Sequence, residues 1–311
     1  MDDGSGAGPR DWISALPDEL LHVILSFVDD ARDIMRTAVL SRRWRHMWVH
    51  AKNLNFCSLN LKNCTAPGGF PGFVDWVLAH RAETTMDSLV IWMTQKSRAA
   101  SPEQIDAWLR YAVRHVLKSL RVQLVGEQKD HKAVVVLLPS ICRTSYISLS
   151  LSTNMSILQL PALATANYEA LTELYLHSPS FSEQGPVLGD FVTSCCHSLR
   201  RLSISAPKAL FQLVLRSEEL QQLEIYWAFD LRTLDVTAPN LRVHSMFVTA
   251  ISGFPARHLV SSVASLLIRC SRHLRLLRLS IPVFTPRRDI AKCFCDNLED
   301  KWEIPGKIAL E

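Results

Sequence analysis

The sequence predicts an α+β protein of more than one module, in which a small N-terminal helical module precedes an irregular α/β solenoid. Two observations lead to this prediction. From Trp12 to Ala51 the apolar residues recur with a helical period, whereas from about Leu89 onward short leucine-rich runs alternate with polar stretches. A turn-forming cluster rich in Gly and Pro, Thr65 to Gly72, follows this change and sets the module boundary between residues 52 and 70.

The composition is that of a packed globular chain and excludes several functional classes. The chain has 311 residues, 48% of them hydrophobic and 21% charged, which excludes disorder over most of its length. A net charge of +4 is too small to imply nucleic-acid binding. The longest apolar run, residues 133–138, is far shorter than the ~20 residues of a membrane-spanning helix.

The N-terminal end, residues 1–11, is acidic and Gly-rich and lacks the apolar core of a secretory signal. We therefore expect a disordered tail there and a soluble protein of the cytoplasm, the nucleus or both. Without a signal, the 8 cysteines of this long, core-rich chain are expected to be reduced thiols. Neither a membrane nor a nucleic acid is expected as a partner.

The sequence contains no strong signature of a metal, cofactor or catalytic site. Cys293 and Cys295 are separated by one residue, but no second Cys or His pair follows at the spacing of a zinc site. No glycine-rich phosphate-binding loop is present. Cys195-Cys196-His197 contains a nucleophile and a base, yet side chains adjacent in sequence point apart on a helix or strand. We expect no catalytic residue; a hydrolase using Cys or Ser is kept as a third hypothesis.

The N-terminal module is predicted to contain three short helices with more apolar surface than one core requires. The apolar positions between residues 20 and 28 cover an arc of roughly 200° on a helix, about twice what packing on one core needs. Trp44, Met47, Trp48 and Ala51 share a second helical face, and Ser41 is a candidate N-cap for that helix. The excess indicates a surface for a permanent partner. Alternatively, it packs on the leucine-rich region of the same chain.

Two segments of this module together resemble an F-box of the plant type. They are Leu16-Pro17-Asp18-Glu19-Leu20-Leu21-x-x-Ile24-Leu25-Ser26-Phe27 and, at the appropriate separation, Arg36 to Trp48 with the sequence RTAVLSRRWRHMW. The resemblance implies that residues 12–52 form a three-helix F-box that docks on a Skp-type adaptor and, through it, on a cullin. The residues expected to dock are Leu16, Pro17, Leu20, Leu21, Ile24, Leu25, Val39 and Trp44.

The leucine-rich region contains five copies of the pattern L-x-x-L-x-[LIV], which begin at Leu171, Leu199, Leu220, Leu231 and Leu274. Strand centres at residues 202, 213, 223, 234 and 243 are about 10 residues apart, and two such steps have the length of one leucine-rich repeat. This spacing predicts short strands on both sides of each turn. Longer steps leave room for a helix, for which Phe191–Cys195 is a candidate. A buried strand of a non-repetitive α/β fold would explain any single copy.

These copies, downstream of an F-box, are similar to the plant F-box/leucine-rich-repeat group. Residues 73–81 and 108–117 are similar to the linker and first outer helix of that group, and residues 238–242 to its recurrent A-P-x-L turn. The expected domains after the F-box are a linker and capping region, a leucine-rich-repeat solenoid, and a C-terminal tail or cap. Their predicted bounds are 53–88, 89–284 and 285–311.

The resemblance implies a non-catalytic substrate-recognition subunit of an SCF-type cullin–RING ubiquitin ligase, which holds a target protein near ubiquitin carried by another subunit. The alternative is a non-degradative leucine-rich-repeat scaffold. In a strand x-L-x-L-x the leucines face the core and their neighbours face outward. The outward residues predicted to bind the target are Glu173, Tyr175, His177, Arg201, Ser203, Ser205, Gln222, Glu224 and Tyr226.

Overall fold

The fold is described by a computed structural model that covers most of the chain. The described residues are 16–59, 67–81, 84–94, 100–125, 134–152, 156–182, 185–228, 230–247, 276–280 and 307–310. The predicted tail 1–11, most of 285–311, and Cys293 and Cys295 lie outside the described residues. No described helix combines the length and apolarity needed to cross a membrane.

Helices and parallel strands make up the described chain. The α-helices are α1 (Asp18–Ser26), α2 (Ala31–Arg36), α3 (Trp44–Met47), α4 (Gly69–Ala79), α5 (Pro102–His115) and α6 (Leu188–Cys195). Two 3₁₀ turns, Thr37–Val39 and Trp48–His50, follow α2 and α3. The strands are β1 (Asn53–Cys57), β2 (Met86–Met93), β3 (Val116–Val125), β4 (Val134–Leu137), β5 (Tyr146–Ser152), β6 (Ser156–Gln159), β7 (Glu173–His177), β8 (Ser180–Phe181), β9 (Arg201–Ser205), β10 (Gln212–Arg216), β11 (Gln222–Tyr226), β12 (Thr233–Thr237), β13 (Val243–Phe247), β14 (Leu276–Ser280) and β15 (Lys307–Leu310).

A large parallel sheet contains ten of these strands, in the order β1-β2-β3-β5-β7-β9-β11-β13-β14-β15. The strands it skips form two smaller parallel sheets, β4-β6-β8 and β10-β12. Between β9 and β13 the chain therefore alternates between the large sheet and the β10-β12 pair. This confirms the prediction of short strands on both sides of each turn, because the expected centres at 202, 213, 223, 234 and 243 lie in five successive strands.

The core lies on one side of the large sheet, as the leucine spacing predicts. Leu202 of β9 is in register with Leu223 of β11, and Ile204 with Ile225. All four side chains are fully buried, whereas the residues between them are partly exposed. Side chains of a strand alternate between its two faces, so the spacing of the leucines fixes which residues face outward.

Helices α4 and α5 pack together at the start of the sheet. Ser101 and Gln104 form a capping box, in which the Ser101 hydroxyl accepts from the Gln104 backbone N–H and the Gln104 side chain accepts from the Ser101 N–H. The Asp75 carboxylate on α4 accepts hydrogen bonds from Gln104 Nε2 at 2.5 Å and Trp108 Nε1 at 2.7 Å. These bonds fix the relative position of the two helices.

Two predicted local features need correction. Residues 69–72 of the expected turn cluster are helical, because the turn ends at Gly68, which has a φ of 81° and is the N-cap of α4. Helix α6 begins three residues before the predicted Phe191. A Cβ at Gly189 would lie 1.9 Å from the Val214 carbonyl oxygen of β10, so the helix packs on this strand through its bare backbone.

The N-terminal helices share their core with the start of the sheet. Trp44, Met47, Trp48 and Ala51 are all buried, as their shared helical face predicts. The Trp48 and Trp76 rings stack with their centroids 5.9 Å apart. Asn55 of β1 donates its backbone N–H to Asp29 at 2.9 Å. The N-terminal helices are therefore anchored to the sheet and to α4.

Candidate partner-binding surfaces

The first candidate surface is an exposed apolar patch on the N-terminal helices, which we call the apolar face. On α1 it contains the residues at positions i, i+3, i+4 and i+7, the spacing of one helical stripe. It consists of Leu20, Val23, Ile24, Phe27, Val39 and Leu40, each at least 40% exposed. Phe27 and Val39 are the most open, at 81% and 85%. An apolar group of this size, left open to water, is typical of an interaction site.

The opposite stripe of α1 holds the helix in place. Leu21 and Leu25 are buried together with Ile34 of α2 and Trp44 of α3. At the start of α1, Arg43 donates through Nε to the Asp18 carboxylate at 2.6 Å, and also to the Leu16 carbonyl oxygen. The helix that carries the apolar face is therefore attached to the rest of the module through its inner stripe and through its first turn.

In the structure, some of the residues predicted to dock on the adaptor are exposed and others are buried. Pro17, Leu20, Ile24 and Val39 are exposed, and Leu16 is half-buried. Leu21, Leu25 and Trp44 are at most 2% exposed. In this conformation these three side chains present no surface to a partner, and they hold α1 against its neighbours instead.

Sequence reasoning left three exposed residues out of the docking set, namely Val23, Phe27 and Leu40. The sequence did contain a signal for Val23 and Phe27, because the apolar arc between residues 20 and 28 is wide enough for a second helical stripe beside the buried one. The alternative that the leucine-rich region of the chain covers this stripe is wrong for the described residues, which leave the whole apolar face open.

The second candidate surface is the outward side of strands β7, β9 and β11, which we call the strand face. The register aligns Glu173, Arg201 and Gln222 in one row across the three strands. Tyr175, Ser203 and Glu224 form the next row, and His177, Ser205 and Tyr226 form the third. All are partly or fully exposed. The structure thus brings together all of the residues predicted to bind the target.

Arg201 of the first row is the centre of a hydrogen-bonded network that also includes Tyr175 of the second row. Its guanidinium donates to the Tyr175 hydroxyl at 2.8 Å, to the Glu173 carboxylate at 3.2 Å and to the Gln222 side-chain oxygen. Tyr175 in turn donates to Glu173 at 3.0 Å. The hydrogen bond with Tyr175 is the main cause that raises the pKa of Arg201, and burial raises the pKa of Tyr175. The network holds these polar groups in fixed orientations.

The strand face continues onto neighbouring strands that the predicted site did not include. The Tyr146 ring of β5 lies 5.2 Å from that of Tyr175, and the Arg121 guanidinium of β3 lies 5.0 Å from the Tyr146 centroid. Cation–π contacts of this kind orient an arginine over a ring. The sequence contains a signal for this continuation, because apolar residues alternate at 120, 122 and 124 and at 147, 149 and 151. This alternation sets the outward positions of β3 and β5.

The candidate nucleophile and base at residues 195–197 are not arranged for catalysis. Cys195 and Cys196 are buried, whereas His197 is exposed. Burial raises the pKa of both thiols, which favours the protonated, non-nucleophilic form. The described cysteines, Cys57, Cys142, Cys195 and Cys196, are free thiols, as predicted. Among the residues that the structure describes, no group of three or more His, Cys, Asp or Glu side chains is placed to hold a metal.

Known proteins match both parts of the chain. A family profile for the LRR domain of At1g61320/AtMIF1 matches residues 77–291, and an F-box-like profile matches residues 13–50. F-box/LRR-repeat protein 25 of Arabidopsis thaliana is 54% identical over 46 residues, 15% of this chain and 18% of that protein. F-box/LRR-repeat protein At3g03360 of the same plant is 24% identical over 244 residues, 75% of this chain and 46% of that protein.

The matches to curated relatives are partial in length. F-box/FBD/LRR-repeat protein At5g56420 of Arabidopsis thaliana is 34% identical over 113 residues, 36% of this chain and 26% of that protein. The chain therefore spans less than half the length of these relatives. No solved structure matches the chain.

Proposed function

This chain belongs to the family defined by the At1g61320/AtMIF1 LRR domain, and from that premise we propose that it is the substrate-recognition subunit of an SCF-type cullin–RING ubiquitin ligase. An F-box-like segment followed by a leucine-rich-repeat domain supports this role. Relatives that match the chain are named F-box/LRR-repeat proteins. The N-terminal segment would be a three-helix F-box, and the repeats would form an irregular solenoid.

The apolar face is the proposed docking site for a Skp-type adaptor and, through it, for a cullin. The observation that carries this proposal is the stripe Leu20, Val23, Ile24 and Phe27, which stays open on a helix whose other side is buried. A helix that offers residues at i, i+3, i+4 and i+7 matches the way amphipathic helices fit apolar grooves. Val39 and Leu40, which lie at the end of the 3₁₀ turn after α2, are further exposed apolar side chains of the same N-terminal module.

The strand face is the proposed target-binding surface. Two tyrosines, Tyr175 and Tyr226, are interleaved there with charged side chains, a composition that suits a specific protein contact. The Arg201 network supports this role because its groups are already ordered, so binding loses less side-chain entropy.

The proposed mechanism is proximity without catalysis by this chain. The receptor would hold lysines of the target near ubiquitin carried by another subunit, which raises their effective concentration. No cofactor, nucleic acid or membrane takes part in this proposal. The proposed location is the cytoplasm, the nucleus or both.

Co-purification from plant cells tests the ligase proposal against the scaffold alternative. The tagged full chain is expected to recover both a Skp-type adaptor and a cullin. A matched variant, Leu20→Asp with Ile24→Asp, is expected to lose both, because it places unpaired charges in an apolar interface. Ile141→Asp is the control, since Ile141 is 62% exposed and lies far along the chain from the F-box. Recovery of neither protein by the unmodified chain would favour the scaffold.

The target surface has its own test, which proximity labelling of the same tagged chain makes possible. Target proteins are expected to be captured by the unmodified chain and to be lost from a variant with Tyr175→Ala and Tyr226→Ala. Recovery of the adaptor by this variant is expected to be unchanged. If the double variant captures the same proteins as the unmodified chain, the strand face is not the target surface.

A further inference from the structure

A buried arginine without a counter-charge among the described residues lies where the N-terminal helices meet the sheet. Arg81 follows the end of α4, and its side chain is only 6% exposed. Nε, Nη1 and Nη2 are all buried and make no well-aligned hydrogen bond with another described residue. The Asp75 carboxylate of α4 does not pair with it, because its oxygens accept from Gln104 and Trp108. Arg81 therefore has no counter-charge among the described residues.

Other unsatisfied donors are found in the same region. The Tyr111 hydroxyl on α5 and the Thr84 hydroxyl, three residues after Arg81, are also buried without a well-aligned hydrogen bond to a described residue. Burial lowers the pKa of Arg81, whereas the charge interaction with Tyr111 and a poorly aligned hydrogen bond to its hydroxyl raise it, so the two groups are close. A guanidinium and two hydroxyl groups left without acceptors are unusual in a folded protein and call for an explanation.

The electrostatic surroundings of Arg81 are positive. Burial lowers the pKa of His50, and the charges of His22, Arg81 and Lys52 lower it further. Lys52 is exposed, so positive charge extends from the buried guanidinium to the surface, while the lowered pKa of His50 favours its neutral form. Positive groups that converge on one point favour an anion there.

We propose that Arg81 and the Tyr111 hydroxyl bind a small tetrahedral oxyanion of the phosphate class at this junction. A buried guanidinium without a counter-charge is strongly unfavourable, and its planar fork matches two oxygens of a phosphate. A tetrahedral anion has further oxygens for Tyr111 and Thr84, whereas chloride has a single acceptor atom. The bound anion would join α4, α5 and the end of the N-terminal helices.

This site is separate from the apolar face and the strand face, so the inference does not rest on the proposed function. Thermal unfolding of the full chain tests it in inorganic phosphate and in chloride at equal ionic strength and pH. The unmodified protein is expected to gain about 4 °C in Tm, with saturation as phosphate increases. Glycerol phosphate, compared at the same concentrations, distinguishes a phosphate monoester from free phosphate as the source.

Variants make this test specific. Arg81→Gln is expected to lose the saturable gain, and Tyr111→Phe to reduce it while keeping the ring that stacks on His115. Arg114→Gln, which changes an exposed arginine of α5, is the matched control and is expected to keep it. Titration calorimetry with inorganic phosphate should show one site in the unmodified chain. If Arg81→Gln fails to fold, the proposal is tested by the reduced phosphate stabilisation of Tyr111→Phe and by calorimetry on the unmodified chain.

Three outcomes would overturn the proposal. Equal, non-saturating gains in the unmodified protein and in Arg81→Gln would show only the general stabilising effect of phosphate salts. Saturable stabilisation by acetate and not by phosphate would exclude a tetrahedral anion. The third outcome combines two results: the unmodified chain binds no phosphate, and Glu83→Gln lowers the Tm measured without phosphate as much as Arg81→Gln does. Together they would identify Glu83 as the counter-charge.

Discussion

The apolar face and the strand face differ in how far their side chains already have favourable contacts within the chain. On the apolar face, Phe27 and Val39 are more than 80% exposed and have no apolar cover. On the strand face, Arg201 already bonds to Glu173, Tyr175 and Gln222. Water is a poor environment for the first surface and an adequate one for the second.

This difference distinguishes two kinds of partner. An open apolar stripe gains free energy from any apolar cover, which suits a constant subunit that stays bound. A polar network must be matched group by group, because unpaired polar groups at an interface are costly. Such a surface suits selective and reversible contacts. The following predictions test this contrast, from the largest expected effect to the smallest.

Variants of two leucines on α1 distinguish a residue needed for folding from a residue needed for adaptor binding. Leu25→Ala is expected to lower the free energy of unfolding by about 2–5 kcal/mol, because it opens a cavity in the core. Leu20→Ala is expected to change it by less than about 0.5 kcal/mol, since Leu20 is 47% exposed. Urea unfolding measures both values. Equal losses in the two variants would contradict the assignment of the inner and outer stripes.

Two tyrosines provide a similar comparison at alkaline pH. Burial raises the pKa of Tyr168 strongly and that of Tyr175 as well. A phenol whose pKa is raised by folding stabilises the native state fully below the unfolded value of about 10, and this contribution is lost as pH rises above it. The unmodified chain is therefore expected to lose stability progressively as the pH rises above about 10.

Phenylalanine variants assign that alkaline loss. Tyr168→Phe is expected to flatten the dependence of stability on pH more than Tyr175→Phe does. At pH 8, Tyr168→Phe should also cost about 1–3 kcal/mol, because the hydroxyl donates to the Pro139 carbonyl oxygen. Urea unfolding at several pH values measures both effects. A steeper alkaline loss in either variant would contradict the sign of the shift.

The Arg201 network is expected to make a small contribution to stability. Arg201→Met should lower the free energy of unfolding by about 0.5–1 kcal/mol, since the ion pair with Glu173 is partly exposed and screened by solvent. Arg200→Met is the control at the adjacent, exposed position. A double-mutant cycle with Glu173→Gln measures the coupling. A loss above about 3 kcal/mol would indicate a core role for the network instead of a recognition role.

The fold was largely predictable where one physical rule acts over a short distance. Alternation of side chains in a strand sufficed to assign Leu202 and Ile204 to the core and Ser203 to the outward side. The β10-β12 pair was implied by the short steps between leucine centres. The start of α4 was not predictable, because glycine and proline in residues 67–72 favour a turn and packing on the sheet decides otherwise.

The candidate sites were less predictable because they depend on longer distances. Leu20 and Leu21 are the same residue type, and only the position of Trp44 and Ile34 determines which of the two is buried. The bond from Arg201 to Tyr175 joins residues 26 positions apart and depends on the register of β7 and β9. Arg81 showed no sequence signal, since its burial arises from elements that are distant along the chain.

Direct binding of a purified Skp-type adaptor to the full chain tests the central claim most directly. Titration calorimetry is expected to give a Kd of about 1 μM or below for the unmodified chain and for Ile141→Asp. Leu20→Asp with Ile24→Asp is expected to weaken binding at least 100-fold while the Tm is unchanged, because these side chains are exposed. Equal affinity in all three proteins would contradict the assignment of the apolar face as the docking site.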